Sequence, residues 1–562
     1  MKKFFIKGKI LVGATALAAV LATGCGDSEN FVFTNTGNVP VPVQPAPPVA
    51  VNDAFNALGN ATVSYTAANG VLINDTVNGA TISSFDATGS QGGTLALNND
   101  GSFSYTPVFG FVGSETFNYT LTNADGDSTA TITLTSTGEG FFVDNSASAG
   151  GNGSQANPFN TLAPALLAAG NGDTVFVARG DGTDTGQDGP FTLPPGVDLI
   201  GEGQGLILSQ TVVPQGQAPV LTGPITCGGD NTISGILFDG EGTQADGIVV
   251  DTVGDVTISN NTFRNFTDNY IECDDVTGTT TITENQFDPG DSMSNYINVS
   301  NTDTDGDVTI TNNEFDDDNA NDPSTEAVEF DIEGTTTMNL TFTGNGINGD
   351  GTGNTFSDGI EVDCNGTSTV TFTIDSNTIS GLEEDGVSVQ TDSTASSSGS
   401  VSSNMIDDVG DDAISVETSG GTTTINNNVI DDTGGEGIDF DFDSQGGTFI
   451  LTSNQISNAG DNGIDYSDST STTPALIALR NNTVTDSAGF SVLLDPSGAV
   501  EVCADVTGNV VNDDMSFDDT SSADLRVEDF VNILTINSFT GASVQEPNDP
   551  VVSVADGTCM IP

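Results

Sequence analysis

Acids standing two residues apart are the groups in this chain best placed to do chemistry. They occur as Glu272/Asp274, Glu329/Asp331 and Glu361/Asp363, with Asn298/Ser300 at the same place in a similar phrase and Asp439/Asp441/Asp443 further on. On a strand, residues two apart share one face, so each phrase would present a pair of carboxylates to one side. If Glu329 and Glu361 fall on neighbouring strands about 5 Å apart, their ionised forms repel by roughly 1 kcal/mol in water and about 3 at an effective dielectric of 20. The four groups Glu329, Asp331, Glu361 and Asp363 then call for divalent cations or retained protons. A merely solvated acidic face is the plainer reading of the same spacing. With oxygen ligands and no histidine in the chain, the cation such a site suits is Ca²⁺ and not zinc or copper. The string "NTDTDG", Asn301 to Gly306, matches the first half of a Ca²⁺ loop, but Asn312 stands where the bidentate Glu belongs.

These acids must be positioned by a repeat. "GDVTISNNTF", ending at Phe263, returns as "GTTTITENQF" ending at Phe287 and "GDVTITNNEF" ending at Phe315. Aligned along the chain, the phrase places Asn261, Asn285, Asn313, Asn345, Asn377, Asn404, Asn428, Asn454, Asn482 and Asn509 in one column, with Ile236 before them, 24 to 32 residues apart. Three residues earlier every position is apolar, as in Ile258, Ile282 and Ile310. A second phrase follows in most repeats: "DGIVV", "EAVEF", "DGIEV", "DGVSV", "DAISV", "EGIDF", "NGIDY". Each repeat thus offers two short strands and cannot bury its apolar side alone, whereas stacked coils roughly 4.8 Å apart can. The expectation is a right-handed parallel β-helix over 141–515. Its Asn column would bond from coil to coil and accept a left-handed backbone. A short amphipathic helix (Leu162, Ala165, Leu166, Ala169) would cap its start and residues 516–562 its end. The pattern resembles pectin-lyase-like repeats.

Upstream, 49–136 alternates apolar and polar residues between Gly, Asn and Asp turns, for example Phe117/Tyr119/Leu121, which predicts a β-sandwich. The fold class is all-β, the sandwich preceding the helix. "PPVAVNDAF…GVLINDT…NNDGSFSYTP" resembles bacterial cadherin-like or Ig-like repeats, which implies a spacer or adhesive unit. Residues 26–48 are a Pro-rich linker. Residues 1–25 have a basic start, an apolar run and "LATGC", which resembles a lipoprotein signal with its lipobox; that implies cleavage, lipidation at Cys25 and, with Gly26 following, an outer-membrane address. No other apolar run reaches the roughly 18 residues of a membrane helix, so the chain would be anchored and not span. Five cysteines remain after Cys25, an odd number. We favour a Cys503–Cys559 bridge, leaving Cys227, Cys273 and Cys364 as buried thiols.

All four lysines lie within the first 25 residues, so beyond them four arginines face 79 acids, a net charge of −75 against −71 for the whole chain. Such a field repels nucleic acid and anionic polysaccharide unless cations bridge the contact. "GDDAISV", with Asp411 and Asp412, resembles the Asp-Asp element of polygalacturonase-type glycosidases, but that family's histidine cannot exist here and its "RIK" is missing. The outward Thr pairs of the first phrase (Thr257/Ser259, Thr281/Thr283, Thr309/Thr311) resemble ice-binding surfaces, although Thr is also an ordinary solvated strand residue. The expectation is an exported, lipid-anchored, cell-surface rod for adhesion, matrix building or glycan binding, with a polysaccharide or cell-surface ligand and Ca²⁺. A polysaccharide lyase or glycoside hydrolase is the alternative, and ice binding the second.

Overall fold

A computed structural model of the chain describes residues 46–562 apart from 289–294, 318–325, 350–354, 393, 443–444, 468–472, 497–500, 518–523, 529–536, 540–543, 546–550, 555–558 and 560–562. Cys25 with the rest of residues 1–25, most of the Pro-rich segment 26–48 and Asp443 lie outside the described residues.

The repeats wind into a parallel β-helix. In its first sheet Ile233, Ile258, Ile282, Ile310, Phe342, Ile374, Val401, Ile425, Leu451, Leu479 and Val506 are direct parallel neighbours, coil to coil. All are 2% exposed or less. The coil has three strands, not the two that the phrases suggest. The end of the first phrase turns a corner and becomes a strand of its own, such as Thr262–Arg264, in a second, 13-stranded sheet. The second phrase forms a third, 14-stranded sheet. The second-sheet strands escape a pattern search because they are two to five residues long, too short to show alternation. Their buried Phe238, Phe263, Phe287 and Phe315 stack with ring centroids 4.7 to 5.1 Å apart, the spacing of the coils.

At the corner between the first two sheets the Asn column forms a continuous ladder. Each Nδ2 donates to the Oδ1 of the next Asn at 2.9 to 3.3 Å, from Asn261 to Asn537. The left-handed residue of the turn is not the ladder Asn but the one before it: Gly235, Asn260, Glu284, Asn312, Gly344, Ser376, Ser403, Asn427, Ser453, Asn481 and Gly508, with φ between +55° and +74°. One such residue swings the chain through the corner and leaves the next side chain pointing inward, where its amide reaches the coils on both sides.

Parallel pairing also runs past residue 515, where a cap was expected. Glu501–Thr507 pairs with Asp524–Glu528, which pairs with Val552–Val554, and Asn537 adds a further rung to the ladder. Cys503 and Cys559, 56 residues apart, form a disulfide across these last coils. Cys227, Cys273 and Cys364 are free and buried.

The upstream domain buries Tyr105, Phe117, Tyr119, Leu121, Ile132 and Leu134 between its sheets. Its Glu115 is fully buried yet well satisfied, accepting from Tyr105 Oη at 2.7 Å and from the backbone N–H of Gln91 and Gly93. No linker separates this domain from the helix. One strand, Gly126–Val143, pairs antiparallel with Gly113–Asn123 in the sandwich, and its residues Gly140–Val143 pair with Thr174–Val177, in the first sheet of the helix. A hairpin with strands Leu206–Ile207 and Thr211–Val213 folds over the joint, where Leu58, Ala61, Phe142, Phe176 and Leu206 form a small core. The helix Leu162–Ala168 buries Leu162, Ala165 and Leu166 against the first coil.

Candidate functional site

The outer face of the third sheet gathers the acids. Alternation turns Val328, Phe330 and Ile332 inward and leaves Glu329 and Asp331 half-buried on the outside; Ile360, Val362 and Cys364 do the same for Glu361 and Asp363. Register then sets Glu329 directly beside Glu361 and Asp331 beside Asp363. The two rows extend upstream through Asn298/Ser300 to Glu272/Asp274. Downstream they pass through Ser388/Gln390 to Ser415/Glu417 and Asp439/Asp441. No aromatic or basic side chain interrupts these outward rows among the described residues.

The arrangement holds protons. Burial, then Asp363, Asp358, Glu326 and Glu329 beside it, push the Glu361 carboxyl up to about 8. Glu329 is raised by burial and Glu326, against a hydrogen bond from Asn295 Nδ2. Asp363 is raised by burial and by Asp331. Asp331 and Asp363 each keep one oxygen, Oδ1, that is buried and has no hydrogen-bond partner. A buried carboxylate oxygen without a donor is costly, so this pair is electrostatically frustrated.

A cluster of three acids on this face includes two residues that the spacing argument missed. One oxygen each from Glu326, Asp358 and Glu361 lie within 4.8 Å of one another. Glu326 and Asp358 open the phrases "EAVEF" and "DGIEV", and the first letter of every such phrase is Asp, Glu or Asn. That column is a second ladder. Its side chains accept the backbone N–H of the next coil: Asn269 from Asn295, Asn295 from Glu326, Asp358 from Asp385 at 2.7 Å, Asp385 from Asp412 at 2.8 Å and Asp412 from Glu436 at 2.6 Å. An amide can donate to one neighbour while accepting from another, but an ionised carboxylate only accepts, so stacked carboxylates repel. Burial foremost, with neighbouring acids, raises Asp358 and Asp385 to about 7. The same causes raise Asp465 to about 7 and Asp439 to about 6.

The structure places the other candidates elsewhere. Asp412 is buried as a rung of that ladder, its carboxyl raised by burial and by a hydrogen bond to the Glu436 side chain, while Asp411 beside it is exposed. The Oδ1 atoms of the two nevertheless converge beside Gly435 of the next coil, where a side chain in place of the glycine hydrogen would collide with both. In "NTDTDG", Asn301 is fully buried and bonds both polar groups of Val276, and Asp303 and Asp305 accept the N–H of Thr335 and Thr337. That segment shapes a turn and does not wrap around a central point. Arg264, Arg480 and Arg526 are held in ion pairs with Asp239, Asp505 and Glu501 at 2.6 to 2.8 Å. On the first sheet, Thr232, Thr257, Thr281, Thr309, Thr341, Thr373, Ser400 and Thr424 form an unbroken hydroxyl row. The parallel row from Ser234 to Thr343 is broken at Asp375, which accepts from Ser402 Oγ.

Residues 46–138 match the family described as bacterial cadherin-like domain, and residues 305–515 match the right handed beta helix region. No curated protein matches the chain. Among solved structures it is similar to the mannuronan C-5 epimerase AlgE4 A-module of Azotobacter vinelandii, at 11% identity and a TM-score of 0.23, over 70% of this chain and 93% of that one. It is also similar to a rhamnogalacturonan lyase, at 11% identity and a TM-score of 0.25, over 61% and 81%. A third is the catalytic unit of a GH87 α-1,3-glucanase from Streptomyces thermodiastaticus strain HF3-3, at 11% identity and a TM-score of 0.29, over 91% and 88%. Scores and identities this low carry no argument about what the present chain does.

Proposed function

We propose that this chain, a cadherin-like domain continuous with a right-handed β-helix, is an exported surface protein that binds polysaccharide on the acidic face of its third sheet, with Ca²⁺ bridging the contact. The observation that carries the reading is the register of Glu329 with Glu361 and of Asp331 with Asp363, with Glu326 and Asp358 close by. Carboxylates held at strand spacing by a rigid scaffold cannot move apart, and a divalent cation relieves their repulsion while leaving coordination positions for sugar oxygens. Lipid attachment at Cys25 would tether the protein to the outer membrane. Adhesion or matrix building follows from such a position.

The test is a polysaccharide array probed with the full chain in Ca²⁺ and in chelator, alongside Glu326→Gln and Glu361→Gln. Binding that needs Ca²⁺ and is lost in both variants is expected; binding that ignores chelator and variants alike would overturn the site. For the anchor, Cys25→Ser should move the protein from the membrane fraction to the soluble one.

A second reading, polysaccharide hydrolysis, has one observation in its favour. Glu361 retains its proton near neutral pH beside other carboxyl groups, as a general acid must. It predicts new reducing ends from a polysaccharide panel, abolished by Glu361→Gln and untouched by Asp411→Asn. Ice binding has the hydroxyl row of the first sheet in its favour, and thermal hysteresis of the purified protein tests it.

A further inference from the structure

A second concave site lies on the opposite chemistry, away from the acids. Where the hairpin with strands Leu206–Ile207 and Thr211–Val213 folds over the first sheet, it leaves a pocket of about 290 Å³. Its floor is the beginning of the hydroxyl face: Thr232, Ser234 and Ser259, with Asp198. Its wall is aliphatic, from Leu206, Ile207 and Leu208.

Three features mark it as a binding site. Ser234 projects to this side of the sheet, since it lies next to the inward Ile233; it is 3% exposed, and its Oγ has no hydrogen-bond partner. A buried hydroxyl is ordinarily satisfied, and one left open in a pocket wall is available to a ligand. Ile207, at the pocket's aliphatic side, is 62% exposed, a large apolar surface beside polar groups. The floor then runs on without a step: Ser234 is in register with Ser259, and Thr232 with Thr257. The pocket is thus the closed end of a long hydroxyl-lined track, the hairpin being the stop.

The chemistry selects the occupant. No lysine, arginine or histidine lines the pocket, and the whole chain is strongly negative, so an anion is disfavoured. No aromatic ring lines it, so a planar ligand finds no stacking partner. Hydroxyls and one carboxyl on one side, with aliphatic carbon on the other, match a molecule that carries hydroxyls around a saturated ring. The volume is at the small end of ligand pockets. We propose that this pocket holds the non-reducing terminal residue of a neutral polysaccharide, its ring C–H face on Ile207 and Leu206, its hydroxyls on Ser234, Ser259 and Asp198, and the rest of the chain along the threonine track. The inference shares a sugar ligand with the proposed function but neither its face nor its cation.

The experiment titrates the full chain with neutral oligosaccharides of glucose, galactose, mannose and xylose, each in native form and with its non-reducing end blocked, in chelator throughout. Binding of at least one native oligosaccharide is expected. Ser234→Leu, which fills the floor, and Ile207→Asp, an exposed rim position that the fold tolerates, should each weaken it about tenfold or more. Glu361→Gln should leave it unchanged, which separates this site from the acidic face. Absence of neutral-sugar binding, equal binding by blocked and native forms, or binding indifferent to both pocket variants would overturn the proposal.

Discussion

An asparagine and an aspartate stacked in a ladder differ by one amino group, and the difference decides what each column can do. Asn345 donates to Ile310 O at 3.0 Å and to Asn377 Oδ1, and accepts from Asn313 through both N–H and Nδ2. All of this is in the interior, where a lost partner is expensive. Asn345→Ala should therefore lower stability by about 2 to 4 kcal/mol in urea unfolding. Asn345→Asp should do no better, because a carboxylate cannot donate to Ile310 O; wild-type stability in that variant would refute the ladder's role. In the acidic column and rows the sign reverses. Above about pH 8, where Glu361 is ionised, removing its charge with Glu361→Gln should raise the melting temperature in chelator and shrink the gain that Ca²⁺ brings, both readable in one calorimetry series. Of these residues the Asn column was plain in the sequence, because one residue type recurred. Glu326 and Asp358 were not, because their column mixes Asp, Glu and Asn, which share an accepting oxygen but not a letter.

At the scale of the element, each corner depends on one left-handed residue. Glu284 sits at φ +57° and Ser453 at +61°, conformations that cost an ordinary residue about 1 kcal/mol and glycine nothing steric. Glu284→Gly should stabilise by a few tenths to about 1 kcal/mol, and Glu284→Val should destabilise by about 1 to 2, as β-branching crowds that conformation. Equal effects of the two would show that the corner is not limiting. The sequence placed this turn within one residue, and the miss has a physical cause: Asn is common both in left-handed corners and in ladders, and "NN" at 260–261 and 312–313 offers one of each. The disulfide belongs to this scale too. It closes a loop with a separation of 56 residues, worth about 4 kcal/mol by chain entropy. Reduction should expose the strands after 501 to hydrogen exchange while leaving the coils before 480 protected.

Over the whole molecule, charge sets the response to pH. Asp358, Asp385 and Asp465 are raised to about 7, Asp439 to about 6 and Glu361 to about 8, from ordinary values near 4. Each is higher in the folded protein than in the unfolded chain, so its contribution is fully present below about pH 4. That contribution is lost as pH rises through the folded values, because the unfolded chain releases protons that the fold retains. In chelator the melting temperature should thus fall steadily from pH 5 to pH 8. Ca²⁺ should flatten that slope, and salt should raise the curve at pH 8 by screening a chain of net charge −71. A melting temperature that climbs over the same range would contradict the assignment of these groups.

By itself the sequence determined the all-β class, the coil, its inward apolar columns and the amide ladder, since each follows from a residue recurring at the coil period and burial acts on every copy alike. Which strands make separate sheets, which acids converge and where a hairpin closes the end of a hydroxyl track were decided only in three dimensions. Those features join residues of different types on different coils, and a column that mixes Asp, Glu and Asn, or a hairpin that occurs once, leaves no recurring letter to read. The acids of Glu326, Asp358 and Glu361 meet because coils stack, and the pocket at Ser234 exists because one irregular hairpin folds back over a regular sheet.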